Sequence, residues 1–200
     1  MTLQELKEKI RDLGFDDDAT LAEYADIINN AIVRACKTIA LTVKAPVGKY
    51  ELDLSDEEVR SESGHYDLDE LCVDEHGNNL FDSIERIVTH SGAGIDTFTR
   101  WDMEQDHILV VDSSLTTPLT IFYNERILPI TETTQDDANV QVVYQCEPLV
   151  GLLAAHYVWL DDDERKAILY WNEYDQLKQE IMAKALKPKA KVVGGIRWHN

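Results

Sequence analysis

Apolar residues spaced by three and four positions open the chain and predict two helices. The first should run from Leu3 to Leu13 and end at Gly14, a residue that suits the C-terminus of a helix. The second should cover most of the range Thr20–Ala40. Each begins with a capping box, in which a hydroxyl and a carboxylate three residues later satisfy free backbone N–H groups: Thr2 with Glu5, and Thr20 with Glu23.

After Leu41 the pattern changes to the alternation of apolar and polar residues that is typical of half-buried strands. A polar turn at Glu104–Asp106 predicts a hairpin. Ser55 to Glu58 can cap a helical turn, whereas Ser61–Asn79 gives the weakest structural signal. Short strands separated by polar loops favour a small antiparallel sheet or sandwich. The predicted strands are Gly48–Leu54, Ile84–His90, Thr97–Met103, His107–Asp112, Leu119–Asn124 and Asn139–Cys146.

Helical spacing returns at Pro148, a residue that suits the first turn of a helix. The segment Pro148–Leu160 is apolar almost all round, so a helix there must be covered on most sides. Asp161 with Glu164 repeats the capping pattern before a last helix, which Pro188 ends. One stripe of this last helix is expected to be buried: Ala167, Ile168, Trp171, Tyr174, Leu177 and Ile181.

These patterns predict the α+β fold class. Helices from both ends of the chain, residues 1–42 and 148–186, should form one discontinuous helical bundle. Residues 43–147 should form an inserted antiparallel β-sheet or sandwich, and residues 187–200 an extended C-terminal arm.

Charge divides the chain into an acidic body and a basic end. The 200 residues hold 38 Asp+Glu against 19 Lys+Arg, for a net charge of −19. The last 20 residues contain five of the bases and none of the acids, so residues 1–180 carry −24. Such a body repels phosphates and argues against ordinary DNA binding, except through the arm. Alternatively, the acids provide solubility and the arm is a solvated terminus.

Composition predicts a soluble globular protein made in the cytoplasm. Hydrophobic residues make up 44% of the chain, which is enough to bury a core. There is no run of 18 apolar residues, and the N-terminal residues form a charged helix start. The three cysteines are odd in number and widely spaced, which predicts neither a disulfide framework nor a zinc ribbon: Cys36, Cys72 and Cys146.

Motifs for catalysis or cofactor binding are missing from the sequence, so we expect no enzyme activity and no cofactor. There is no dinucleotide or phosphate loop, no GxSxG elbow and no HExxH. A loop rich in acids holds the nearest candidate metal set, but its spacing matches neither an EF-hand nor a zinc finger, which favours a solvated loop. The candidate ligands are His65, Asp67, Asp69, Cys72, Asp74 and His76.

Other polar and aromatic residues have structural interpretations. The Asp triplets at 16–18 and 161–163 are read as helix caps rather than metal carboxylates. His156, on the apolar helix, is expected to be a hydrogen-bonded core or interface residue. Several aromatics lie at helical spacing, which favours packing over stacking on bases or sugars: Tyr157, Trp159, Tyr170, Trp171 and Tyr174.

The order of these elements resembles the head-to-tail adaptor (connector) proteins of tailed bacteriophages across nearly the whole chain. The match rests on the order of weakly specific patterns rather than on one signature. The chain departs from the family at Ser55, where a proline is common, and in an expected extra loop at Ser61–Asn79. The matching segments follow the two N-terminal helices: Tyr50–Asp56, Ile84–Val88, the hairpin that contains Trp101, Leu119–Asn124, Leu128–Pro129, Pro148–Tyr157, Asp161–Ala167 and Tyr170–Tyr174.

The resemblance implies a structural virion protein at the head–tail junction, synthesised in the host cytoplasm. Such adaptors form a ring, usually of twelve copies, that docks beneath the portal protein, extends the DNA channel and connects the capsid to a downstream neck or tail protein. DNA passes through without sequence-specific binding, and no membrane is involved. By analogy with how such adaptors attach, the arm should dock on the portal or a neighbouring subunit through Lys187, Lys189, Lys191, Ile196, Arg197 and Trp198.

Other functions remain open at this stage. A different neck component, such as a tail-completion or stopper protein, would share the acidic β-rich body but should lack the paired helical blocks. A β-sandwich module that binds a sugar or protein should expose aromatic side chains on its strands. A metal hydrolase using the His65–His76 segment has the weakest support and would contain stoichiometric metal.

Overall fold

The computed structural model describes residues 1–14, 24–91, 94–131 and 134–185. Within these ranges the chain forms five α-helices and two antiparallel sheets, which confirms the predicted α+β class. A short helix, α3, lies within the β-rich region. The helices are α1 (Leu3–Asp12), α2 (Ala25–Thr42), α3 (Leu68–Leu71), α4 (Glu147–Trp159) and α5 (Glu164–Ala185).

Local sequence signals set the ends of α1. Thr2 Oγ1 accepts a hydrogen bond from Glu5 N–H at 3.2 Å, and Glu5 Oε2 accepts one from Thr2 N–H at 2.9 Å. This confirms the predicted capping box. The helix ends before Gly14, whose φ of 140° is a conformation that other residues rarely adopt. The second predicted box, Thr20 with Glu23, lies outside the described residues, and α2 begins at Ala25.

The long helices pack into a helical layer with α4 between α2 and α5, and α1 against α4. Pro148 lies in the first turn of α4, as predicted. Leu149, Val150, Leu153 and Ala154 are fully buried, because neighbouring helices and the segment after the sheets surround most of α4. Burial of this apolar surface is the main force that holds the layer together.

Helix α5 differs from its predicted cap and its predicted stripe. Asp163, not Asp161, is the cap, because its Oδ1 accepts from Arg165 N–H at 3.0 Å and Lys166 N–H at 3.2 Å. The prediction that Ile168 and Trp171 belong to the buried stripe was wrong: they are 52% and 43% exposed. The residues that pack on the layer are Ala167, Tyr170, Tyr174, Leu177 and Ile181.

The β-rich region contains two antiparallel sheets around their own buried cluster. The four-stranded sheet has the order β1-β7-β3-β4, and the three-stranded sheet has the order β2-β6-β5. This cluster and the cluster of the helical layer share no residue. The strands are β1 (Val47–Leu52), β2 (His65–Asp67), β3 (Phe81–Ser91), β4 (Gly94–Thr97), β5 (Trp101–Glu104), β6 (Ile108–Val111) and β7 (Leu119–Glu125).

One predicted strand is two strands. Thr97–Met103 is interrupted at residues 98–100, where the chain passes from the four-stranded to the three-stranded sheet. Phe98 is buried at this crossing, and its N–H donates to Ile87 O at 2.9 Å. The predicted hairpin is confirmed between β5 and β6. Gln105 and Asp106 form its turn with φ of 52° and 64°, the geometry that tight hairpins favour.

Two further local predictions need correction. Asn139–Cys146 is not a strand: Asn139 makes only an isolated bridge to Thr2, and Tyr144–Cys146 is a 3-10 turn. The turn after β1 is capped by Asp56 rather than Ser55, because Asp56 Oδ1 accepts from Glu58 N–H at 2.9 Å.

Candidate functional site

The six arm residues that the resemblance marks as docking residues lie outside the described residues. They follow α5, whose last described residue is Ala185. The candidate surfaces described below are therefore those of the helical layer and the sheets. The arm residues are Lys187, Lys189, Lys191, Ile196, Arg197 and Trp198.

The candidate metal ligands of the acidic segment do not converge on one point. His65 Nε2 lies 3.5 Å from Glu104 Oε2, and the exposed His76 lies beside Glu75. Cys72 is buried in the β-rich cluster. In the part of the chain that the structure describes, no group of three or more His, Cys, Asp or Glu side chains could hold a metal ion.

The aspartates of this segment support its backbone. Asp67 accepts from Asp69 N–H at 2.9 Å and caps α3. Asp74 Oδ1 accepts from His76 N–H at 2.8 Å and from Asn78 N–H at 2.9 Å, and the Asn78 side chain donates to the other carboxylate oxygen. Hydrogen bonds from Asn78 lower the pKa of the Asp74 carboxyl. These turns explain the acid-rich pattern without a ligand.

The three cysteines are buried thiols rather than nucleophiles. Burial raises the pKa of Cys36 and of Cys72 to about 12, and it also raises the pKa of Cys146. A thiol with a raised pKa holds little of the reactive thiolate at neutral pH.

We therefore expect the native protein to resist alkylation. At pH 8, Cys36 and Cys72 should react with iodoacetamide about 10³-fold more slowly in the native protein than in urea-unfolded protein, because their thiolate fraction falls by that factor. Mass spectrometry of timed, quenched samples measures the rates at each site. Equal native and unfolded rates would contradict this assignment.

The helical layer exposes a surface that the sequence did not predict, and we call it the aromatic face. His156 and Tyr157 of α4 lie at its centre, with ring centroids 5.3 Å apart, and the Trp171 ring lies 5.1 Å from His156. His156 Nδ1–H donates to Ala167 O at 2.9 Å, which confirms the predicted hydrogen bond of this histidine. The aromatic face comprises Arg34, His156, Tyr157, Ile168, Trp171 and Lys178.

Neighbouring helices fix these rings in place. The Arg34 guanidinium of α2 lies 4.0 Å from the Tyr157 ring centroid, and Thr38 Oγ1 lies 3.1 Å from the Tyr157 hydroxyl. On α5, Lys178 Nζ lies 5.7 Å from the ring centroid of Tyr174. The face therefore spans three helices, with the Arg34 cation against the partly buried Tyr157 ring and the exposed Trp171 ring beside His156. Exposed aromatic rings such as that of Trp171 are enriched at protein interfaces.

A second surface of the layer is acidic. On α1, Glu5, Glu8 and Asp12 are exposed on the side opposite the buried Leu6 and Ile10, and we call this the acidic face. It borders an open hollow of about 400 Å³, which Met1, Lys9 and Glu147 also line. Glu147 Oε1 is 2.7 Å from the N-terminal ammonium group, which ties the start of α1 to the start of α4.

The four-stranded sheet has its own open hollow, of about 440 Å³. In it Phe122 pairs across the strands with Lys49 on one side and Arg86 on the other. The Arg86 guanidinium lies 4.3 Å from the Phe122 ring centroid. Lys49 Nζ is 2.5 Å from Glu51 Oε1, so part of the positive charge is already neutralised.

Comparison with protein-family models and with curated proteins found no match to this chain. Within the described residues, no helix combines the length and the apolar composition that a membrane crossing requires. The functional argument therefore rests on the surfaces of the chain and on the order of its elements.

Proposed function

We propose that the protein is a structural head-to-tail adaptor of a tailed bacteriophage, which forms a ring, docks beneath the portal protein and connects the capsid to the tail. The main structural support for this proposal is the aromatic face. Trp171 and Ile168 are 43% and 52% exposed on α5, a helix that also exposes Leu169 at 51%. One exposed ring and exposed aliphatic side chains, beside the partly buried rings of His156 and Tyr157, form the kind of surface that a protein partner covers.

The electrostatic character of the chain fits a DNA channel. Residues 1–180 carry a net charge of −24, so a ring built from them repels the phosphates of DNA that passes through. Repulsion lets DNA move through the channel without binding to its wall. The basic arm, residues 187–200, then provides a separate element for attachment to an acidic surface of the portal or of a neighbouring copy.

The described strands favour this function over a sugar-binding β-module. None of their aromatic side chains is exposed: Tyr50, Trp101 and Phe122 are partly buried, and Tyr66, Phe81 and Tyr123 are buried. A sugar-stacking platform requires rings that are open to solvent. The exposed Trp171 instead lies on α5, in the helical layer.

Deletion of the arm tests the attachment. A variant that lacks Lys187–Asn200 should keep its unfolding midpoint, because α5 and the core of the layer remain. We expect at least about a tenfold loss of affinity for the cognate portal ring, since both the charges and the apolar anchors of the arm are removed. Biolayer interferometry on immobilised portal rings measures the affinity.

A matched control distinguishes the effect of the whole arm on portal binding from the effect of its lysine charges alone. Lys187, Lys189 and Lys191 replaced together by Gln remove three charges and leave the apolar tip. This variant should bind the portal ring with intermediate affinity. Undiminished binding of the arm deletion would contradict attachment through the arm.

A further inference from the structure

The strand β1 lies at an edge of the four-stranded sheet. It pairs with β7 on one side, and among the described residues no strand lies on its other side. It is also the longest edge strand of the two described sheets, because β1 has six residues, β4 and β5 have four each and β2 has three. An edge strand presents a row of backbone donors and acceptors to which another strand can add.

The pairing with β7 shows which residues of β1 direct their backbone groups outward. Glu125 N–H donates to Pro46 O at 2.9 Å, and the register continues from there to Gly48 opposite Tyr123. In an antiparallel pair, every second residue bonds to the partner strand. The even-numbered residues of β1 therefore face β7. The backbone N–H and C=O groups of the odd-numbered residues, 47, 49 and 51, are directed away from it.

The charges of β1 make this edge complementary to a second copy of itself. Lys49 and Glu51 lie on the same face of the sheet with Nζ 2.5 Å from Oε1, and their side chains are 53% and 70% exposed. A lone lysine on an edge opposes such pairing, because like charges meet. When two copies of β1 run antiparallel around Tyr50, however, Lys49 of each copy lies opposite Glu51 of the other. Each Lys49 then lies between two carboxylates, so the existing ion pair is extended rather than broken.

Backbone geometry and charge together select this register. Outward-directed residues can bond only to outward-directed residues of the second copy, which requires odd-numbered residues to meet. A pairing centred on Lys49 would bring two lysines together, and one centred on Glu51 would bring two glutamates together. The pairing centred on Tyr50 brings opposite charges together. The edge strand β5 offers no such arrangement, because its exposed side chains are both acids, Asp102 and Glu104.

We propose that two copies of the protein pair through β1, which joins their four-stranded sheets into one continuous sheet across a two-fold axis at Tyr50. Lys49 of each copy and Glu51 of the other then form a pair that exchanges two backbone hydrogen bonds. The two Tyr50 side chains meet at the axis, on the face that packs on the β-rich cluster. The contact closes on two copies, so it concerns the free protein and does not depend on the proposed adaptor function.

Exchange of charges within β1 tests the contact. Lys49→Glu and Glu51→Lys each create two like-charged pairs across the axis, so each should raise the dissociation constant of the dimer at least about tenfold. They change the net charge in opposite directions, so a general charge effect would not weaken both. The double variant Lys49→Glu/Glu51→Lys restores opposite charges and should dimerise like the wild type. Sedimentation equilibrium of the full chain measures the constants.

Three results of this experiment would overturn the pairing. They are a monomeric wild type, a single variant that dimerises as tightly as the wild type, and a double variant as weak as the single ones.

A disulfide across the axis tests the register. The two Tyr50 Cα atoms should lie about 4.5 Å apart, which a disulfide can bridge, so Tyr50→Cys should become a covalent dimer in oxidised glutathione. Lys49→Cys is the matched control. Its two copies are offset by two residues, roughly 7 Å along the strand in addition to the distance between strands, and should stay unlinked. The three native cysteines are buried and common to both variants.

Non-reducing gel electrophoresis of the oxidised native proteins measures the linked fraction. A predominantly linked Tyr50→Cys beside an unlinked Lys49→Cys is the expected result. Equal linkage of the two variants, or no linkage of Tyr50→Cys, would overturn the proposed register.

Discussion

Replacing Gly64 with Ala should lower the free energy of unfolding by more than about 3 kcal/mol. Gly64 has φ of 73°, a conformation that costs an alanine roughly 1–2 kcal/mol. In addition, a Cβ at this position would lie 2.2 Å from Val111 O, and backbone atoms cannot rotate away as a side chain can. Relief of the overlap separates Gly64 from Val111, whose N–H donates to Gly64 O at 2.9 Å next to the β2–β6 pairing.

Gly77 provides the matched control for this substitution. Its φ of 79° is similar, but nothing lies within 4 Å of an added Cβ. The Gly77→Ala variant should therefore lose only the conformational cost, about 1 kcal/mol. Urea denaturation followed by tryptophan fluorescence measures both values. Similar losses for the two variants would contradict the backbone contact between Gly64 and Val111.

Replacing Leu153 with Ala should cost about 3 kcal/mol of unfolding free energy. Leu153 is fully buried at the centre of α4, and its removal leaves a cavity among helices that are already packed on both sides. Domains of this size are stable by only about 5–15 kcal/mol, so the loss is a large part of the total. The same variant should also assemble poorly, because α4 holds the rings of the aromatic face.

Leu160 tests whether burial, rather than the residue type, causes this loss. It follows α4 directly and is 42% exposed. Leu160→Ala should therefore cost less than about 1 kcal/mol in the same denaturation experiment. A cost for Leu160→Ala equal to that for Leu153→Ala would contradict the packing of α4 at the centre of the layer.

The features of the fold that depend on residues close to one another in the sequence could be predicted from it. The capping box of Thr2 and Glu5 is confirmed because both partners lie within four residues of one another. The hairpin at Glu104–Asp106 is confirmed for the same reason. The apolar character of α4 correctly predicted its burial, since a helix without a polar side has to be covered.

The wrong predictions concern segments whose sequence pattern fits two structures. Contacts with distant parts of the chain decide which of the two forms. Val140 and Val142 alternate as in a strand, but they pack on the helical layer, and Val140 N–H bonds to Met1 O rather than to a partner strand. The stripe of α5 can be drawn through Trp171 or through Tyr170. Tyr170 is the buried residue, and its hydroxyl donates to Leu13 O, a partner 157 residues away in the sequence.

The aromatic face could not be predicted for a related reason. Its members come from three helices, and Arg34 is separated from Tyr157 by 123 positions in the chain. From its spacing, Trp171 was expected in the buried stripe of the last helix, and no local pattern connects it with Arg34. Only the packing of α2, α4 and α5 brings the rings and the cations onto one surface. The arm, in contrast, was identified by composition alone and stays a prediction.

The number of copies in the complex with the portal tests the central claim most directly. Class averages from electron microscopy of the full-length protein, alone and bound to cognate portal rings, give the symmetry, and mass photometry gives the mass. We predict a closed ring of about twelve copies stacked coaxially on the portal. A protein that stays monomeric in both preparations and does not bind the portal ring would contradict the adaptor function.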